Sequence, residues 1–184
     1  GVDEAFGDEA WVGVDALTLP QVPRPEILIR DNAALTTGLV VAASNVQIRG
    51  HAIHGFGTAG TNGDVVVQGA TTTGVRISGN VIGSGPTAFA VPGVAAQQTA
   101  GNGITINAPD NGFVQNNLIG FAGFHGVVSR GTAVGWTFSG NETRSNGRTN
   151  NASGGIAIEA AGTINNTISG NLIVASGGAG VDTA

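Results

Sequence analysis

Apolar and polar residues alternate along this chain in short runs, and no stretch carries the 3.6-residue period of a helix. One phrase recurs: apolar-x-apolar, a small polar residue, Gly-Asn, then a short run ending in Ile. It is clearest in VRISGNVI, Val75 to Ile82. It returns as VQIRGHAI (Val46 to Ile53), FVQNNLI (Phe113 to Ile119), WTFSGN (Trp136 to Asn141) and ISGNLI (Ile168 to Ile173). Aligning the turns puts His51, Asn80, Asn117, Asn141 and Asn171 in one column, at spacings of 29, 37, 24 and 30 residues. The residue before each is Gly50, Gly79, Asn116, Gly140 or Gly170. Gly and Asn enter the left-handed backbone region at low cost, so each copy reads as strand, tight corner, strand.

A second apolar run precedes each corner: Gly38 to Val41, Val65 to Val67, Gly103 to Ile106, Gly126 to Val128 and Gly155 to Ile158, with Gly180-Val181 opening a sixth. Three short strands per repeat, without helical pattern, predict an all-β solenoid. The fold expected is a right-handed parallel β-helix of three sheets and about six coils, roughly 25–30 Å tall at the usual strand spacing. Its core is predicted as two inward columns. One holds Ile48, Ile77, Val114, Phe138 and Ile168; the other holds Ile53, Ile82, Ile119 and Ile173. Asn80, Asn117, Asn141 and Asn171 are expected to form a structural ladder, because a buried amide needs partners and the neighbouring coils supply them.

The phrase ASNVQIRGHAIHGFG (43–57), followed by GVRISGNVIGSG, GNGITI and SGNLI, resembles the right-handed β-helix repeat proteins of prokaryotic cell surfaces. These are a non-catalytic branch of the pectate-lyase-like fold. The resemblance covers about residues 25–184 and rests on scaffold residues, so it speaks to fold more than to function. It implies a module of a large secreted protein.

Composition narrows the classes. Gly accounts for 32 of 184 residues, which suits tight corners, and Cys is absent, which removes disulfides and thiolate metal sites. All seven basic residues are Arg. Residues 1–31 hold seven acids against two arginines, a net of −5, and the remainder is neutral. No basic face exists for nucleic acid, and no apolar run has the length of a membrane span. Residues 1–24 fit no repeat and are expected to be an acidic cap, linker or incoming strand, with Val12 to Leu19 as the candidate strand. The β-helix is assigned to residues 25–184, open at its C-terminal end. Three long connections, 54–64, 83–102 and 143–154, are expected to leave the rod on one side. Phe89, Val91 and Val94 of the second are candidates to lie back on the rod, and the third is polar and read as mobile.

The residues offer little chemistry. Glycosidases need paired carboxylates, and lyases on this fold need a base and a means of neutralising a uronate. Asp64, Asp110, Glu142, Glu159 and Asp182 are widely spaced, and the register count pairs none of them. No catalytic, cofactor-binding or metal-binding residue is assigned. The histidines His51, His54 and His125 lack metal-ligand spacing. GGAGVD (177–182) matches a calcium nonapeptide, but that motif holds ions only in tandem. Counting on from the first strands aligns Gln68, Asn107, Arg130 and Glu159 as a surface strip, with Arg130 beside Glu159. This reads as a solvated ion pair, or as a sugar-binding strip. Among three glycosylation sequons, Asn151 in the third loop is the most accessible candidate.

The function expected is an extracellular or cell-surface structural or adhesive β-helix module, such as a stalk, surface-layer, sheath or filament element, with no catalysis of its own. The alternative is a carbohydrate-active or carbohydrate-binding domain of lyase or glycosidase type that lacks part of its groove. Expected partners are further copies stacked end to end on the C-terminal coil, and surface glycans. Nucleic acid, membrane insertion and cofactors are not expected.

Overall fold

The computed structural model describes residues 5–6, 22–31, 35–109, 111–159 and 165–183. The chain is a three-sheet right-handed parallel β-helix. The first sheet stacks Thr37–Val41, Gly63–Gln68, Asn102–Asn107, Val127–Ser129, Ile156–Ile158 and Val181–Thr183. The second stacks Gln47–Arg49, Arg76–Ser78, Phe113–Gln115, Thr137–Ser139 and Thr167–Ser169. The third stacks Ile27–Arg30, His51–His54, Val81–Ile82, Leu118–Gly120, Glu142–Arg144 and Leu172–Val174. All pairings within these sheets are parallel and join consecutive coils. An antiparallel pair, Ala5–Phe6 with Val22–Pro23, forms a separate two-stranded sheet, and Val22 is buried in one cluster with Ala52, Val81 and Leu118. Val12 to Leu19 lies outside the described residues, as does Asp110.

The core is the inside of the tube. Register places Ile48, Ile77, Val114, Phe138 and Ile168 one above another in the second sheet. The first four are buried, and Ile168 is partly so. In the third sheet Ile29, Ile53, Ile82, Ile119, Thr143 and Ile173 align. The aliphatic column is thus interrupted: Thr143 stands between Ile119 and Ile173. It is fully buried, and its hydroxyl has no hydrogen-bond partner among the described residues.

Two corners per coil are made by residues in the left-handed region. Before the third sheet stand Gly50, Gly79, Asn116, Gly140 and Gly170, with φ from 52° to 70°. Before the second sheet stand Asn45, Gly74, Asn111, Gly135 and Asn165, with φ from 57° to 69°. At this corner a Cβ on Gly74 would lie 2.6 Å from the Asn45 amide oxygen, and one on Gly135 2.9 Å from that of Asn111. Asn and Gly therefore alternate by coil, the glycine leaving room for the neighbouring amide.

The third connection in each coil, from third sheet back to first, carries the long loops. The structure shifts their bounds. His54, Gly63, Asp64, Asn102, Thr143 and Arg144, read as loop from sequence, belong to strands. The loop after Arg144 is not a free polar excursion: Gly147, Arg148 and Thr149 donate to the carbonyls of Phe124, Ala122 and Gly123 one coil below. In the longest loop, Phe89 packs against Ala52, Val81 and Leu118 on the outer side of the third sheet, and against Phe121 at 5.2 Å. Val91 and Val94 do not lie back on the rod and are exposed.

Candidate functional site

The asparagine column is the most regular polar feature. Asn80 Nδ2 donates to Asn117 Oδ1 at 3.0 Å, Asn117 Nδ2 to Asn141 Oδ1 at 2.9 Å, and Asn141 Nδ2 to Asn171 Oδ1 at 2.9 Å. Each Nδ2 has a second acceptor one coil below: the carbonyl of Ile48, Ile77, Val114 or Phe138. Each Oδ1 also accepts the backbone N–H of the residue below, from His51 to Asn80 up to Asn141 to Asn171. His51 therefore starts the ladder through its backbone, and its ring takes no part in the ladder's bonds. Asn80, Asn117 and Asn141 are fully buried. The left-handed corner turns the next side chain inward, which is why the polar residue after Gly is the one that stacks.

On the outer side of the first sheet, Gln68 and Asn107 are register partners, and Arg130 and Glu159 continue the same column. Arg130 Nη2 lies 2.8 Å from Glu159 Oε2. The other carboxylate oxygen, Oε1, lies 3.1 Å from His125 Nε2. The counting of columns does not pair His125 with Glu159, because they start five columns apart. His125 Nδ1 accepts the Gly154 N–H at 3.2 Å. With Nδ1 accepting, Nε2 carries the proton and donates to the carboxylate. Burial pushes the imidazole pKa below its ordinary value; Glu159 and Asp182 pull it up and Arg130 pushes it down. His125 is thus a buried, neutral ring with both nitrogens engaged.

Two further acids are buried. Asp64 accepts from Thr99 Oγ1 at 2.7 Å and from the Phe56 N–H at 3.2 Å, which pins the longest loop to the first sheet. Burial raises its pKa well above the usual carboxylate range. Glu142, on the outer side of the third sheet, pairs with Arg144, whose guanidinium sits over the Phe89 ring at 4.9 Å. Burial pushes the Glu142 carboxyl up to about 7, against the pull of Arg144. Sequence reading left this pair unnoticed, because the cover that buries it comes from a distant loop.

Among the described residues no group of three His, Asp or Glu is placed to hold a metal. No helix among them is long and apolar enough to cross a membrane. Of the sequons, Asn151 is exposed on its loop, whereas Asn141 is buried in the ladder. Comparison with protein-family models, with curated proteins and with solved structures returned no match.

Proposed function

We propose that this chain is a passive β-helix module of an extracellular or cell-surface protein, structural or adhesive in role, akin to the non-catalytic β-helix repeat proteins of prokaryotic surfaces. The observation that carries the reading is the commitment of its polar side chains. Residues that could do chemistry hold coils together instead. The His125 imidazole has one nitrogen on the Gly154 N–H and the other on Glu159, whose second oxygen meets Arg130. A general base needs a free lone pair within reach of a substrate proton, and Nδ1 offers none while it accepts from the backbone. Asp64 is wholly buried and takes one donor, Thr99, from the longest loop and another, the Phe56 N–H, from the connection that precedes its own strand. The ladder amides are likewise occupied on both sides.

The test is a panel of acidic and neutral polysaccharides, assayed for new reducing ends and for unsaturated uronate products, beside a glycan array. The reading expects no product with any of them, with or without divalent cations. Retention on the array without turnover would assign the adhesive role. Turnover that disappears in Glu159→Gln would overturn the proposal and make the first-sheet face an active site.

A further inference from the structure

Four asparagines in this chain are followed by glycine: Asn62, Asn102, Asn111 and Asn146. That pair is chemically labile, because the glycine nitrogen reaches the asparagine amide carbon with no side chain in the way. Three of the four are held. Asn62 Oδ1 accepts the N–H groups of Thr58 at 2.8 Å and Ala59 at 3.2 Å. Asn102 is fully buried; its Oδ1 accepts the His125 N–H, and its Nδ2 donates to Gly60 O and Thr105 Oγ1. Asn146 is buried, its Oδ1 accepts the Ala122 N–H, and the Gly147 nitrogen that would attack donates to Phe124 O at 2.7 Å.

Asn111 is different. It is exposed on the corner before the second sheet, and among the described residues neither its side-chain amide nor the Gly112 N–H has a hydrogen-bond partner. Stacking explains the unpaired N–H. One coil up, the Trp136 N–H donates to Asn166 Oδ1 at 2.8 Å; over Gly112 stands Trp136 itself, which has no oxygen to offer. Stacking also dictates the pair. The corner needs a left-handed residue, and Asn111 has φ 58°; the indole leaves no room for a Cβ at Gly112. Two packing demands thus place a labile pair where nothing holds it. Gly112 is buried, so the native chain reacts more slowly there than an unfolded one; what the fold sets is the order of the four sites.

We propose that Asn111-Gly112 is a self-modification site, where the folded chain deamidates and rearranges to isoaspartate ahead of its other three Asn-Gly pairs. The Gly112 nitrogen gives its proton to solvent and bonds to Asn111 Cγ; the bond from Cγ to Nδ2 breaks and ammonia leaves. Water then opens the resulting succinimide at either carbonyl, giving aspartate, or isoaspartate whose main chain carries one extra atom. The Asn111 N–H donates to Val134 O at 3.2 Å and the Phe113 N–H to Val75 O at 2.9 Å, fixing both sides of the corner. The extra atom therefore drives Gly112 against the indole. The site is independent of the passive reading.

The test is incubation of the native chain in mildly alkaline buffer, followed by site-resolved mass spectrometry that separates isoaspartate from aspartate. Conversion at Asn111 should outpace that at Asn62, Asn102 and Asn146 by about tenfold or more, the factor one hydrogen bond contributes when it must first be broken. In urea the four should react alike. Asn45 stands at the same corner of an earlier coil, with φ 59°, but precedes Val46; it should stay intact. The aged chain should melt below fresh Asn111→Asp, which gains the charge without the extra atom. Ageing should leave the melting of Asn111→Gly unchanged, glycine being the residue that fills this corner at Gly74 and Gly135. Equal native rates at the four pairs, equal rates at Asn45 and Asn111, or an equal loss on ageing in Asn111→Gly would overturn the proposal.

Discussion

Asn80, Asn117 and Asn141 each touch three coils. Asn117 donates to Ile77 O below and to Asn141 Oδ1 above, and accepts from Asn80. Replacing it by Leu keeps the branched shape and strands the Asn80 backbone N–H, which donates to Asn117 Oδ1, in a buried site. Asn117→Leu should lower the unfolding free energy by roughly 2–4 kcal/mol, since several buried polar groups lose partners together. Asn150→Leu, in a loop, should change it by less than about 1 kcal/mol. Urea unfolding of both variants checks the difference, and equal losses would deny the ladder its role. Thr143 argues in the opposite direction. Its buried hydroxyl lacks a partner among the described residues, so Thr143→Val, nearly equal in shape, should raise stability by about 1 kcal/mol. Glu142 gives a pH dependence. Its folded-state pKa is raised to about 7 from an ordinary 4.5, so the fold favours the neutral acid. The stability this group contributes is full below about 4.5 and is lost as pH rises through about 7. His54 and His125, with lowered pKa values, act in the other direction, losing stability as pH falls below their ordinary 6.5. The difference between the wild type and Glu142→Gln isolates the carboxyl. It should vary with pH between about 4.5 and 7 and be flat on either side; a flat difference throughout would place Glu142 in an ordinary solvated state.

At the scale of the element, the coils are matched to their neighbours in size. Gly112 and Trp136 are register partners at the start of the second sheet, one coil apart, and a Cβ on Gly112 would lie 2.2 Å from the indole ring. Trp136 is fully buried and donates its Nε1–H to Ala108 O at 3.1 Å, so the ring cannot swing aside without losing that bond. Gly112→Ala should cost roughly 1–3 kcal/mol by overpacking, and Gly112→Ala with Trp136→Phe should recover part of it. A thermal melt of the two variants decides whether the glycine is there for the indole. These pairs explain what the sequence does and does not disclose. The ladder corner is legible because Gly or Asn precedes the stacking residue in each copy. The other corner was missed: Asn45, Gly74, Asn111, Gly135 and Asn165 sit in poorly conserved surroundings within the repeat, and their alternation has meaning only once adjacent coils are stacked. Thr143 broke a column of isoleucines that the pattern alone would have continued. The His125–Glu159 contact depends on where side chains from separate coils converge in space. Neither spacing nor composition encodes that.

For the whole molecule, a solenoid's stability is close to a sum of terms between neighbouring coils. Here polar side chains supply many of those terms, including the groups that would otherwise be read as an active site. The most direct measurement is native-state hydrogen exchange of two amides. The Asn117 N–H donates to Asn141 Oδ1 at 3.1 Å, and the Gly154 N–H to His125 Nδ1 at 3.2 Å. The account predicts that both exchange only through global unfolding, with protection matching the unfolding free energy, while the Ala152 N–H on its exposed loop exchanges far faster. A Gly154 amide that exchanges as freely as that of Ala152 would leave the His125 nitrogen unheld and available as a base, and would contradict the passive reading.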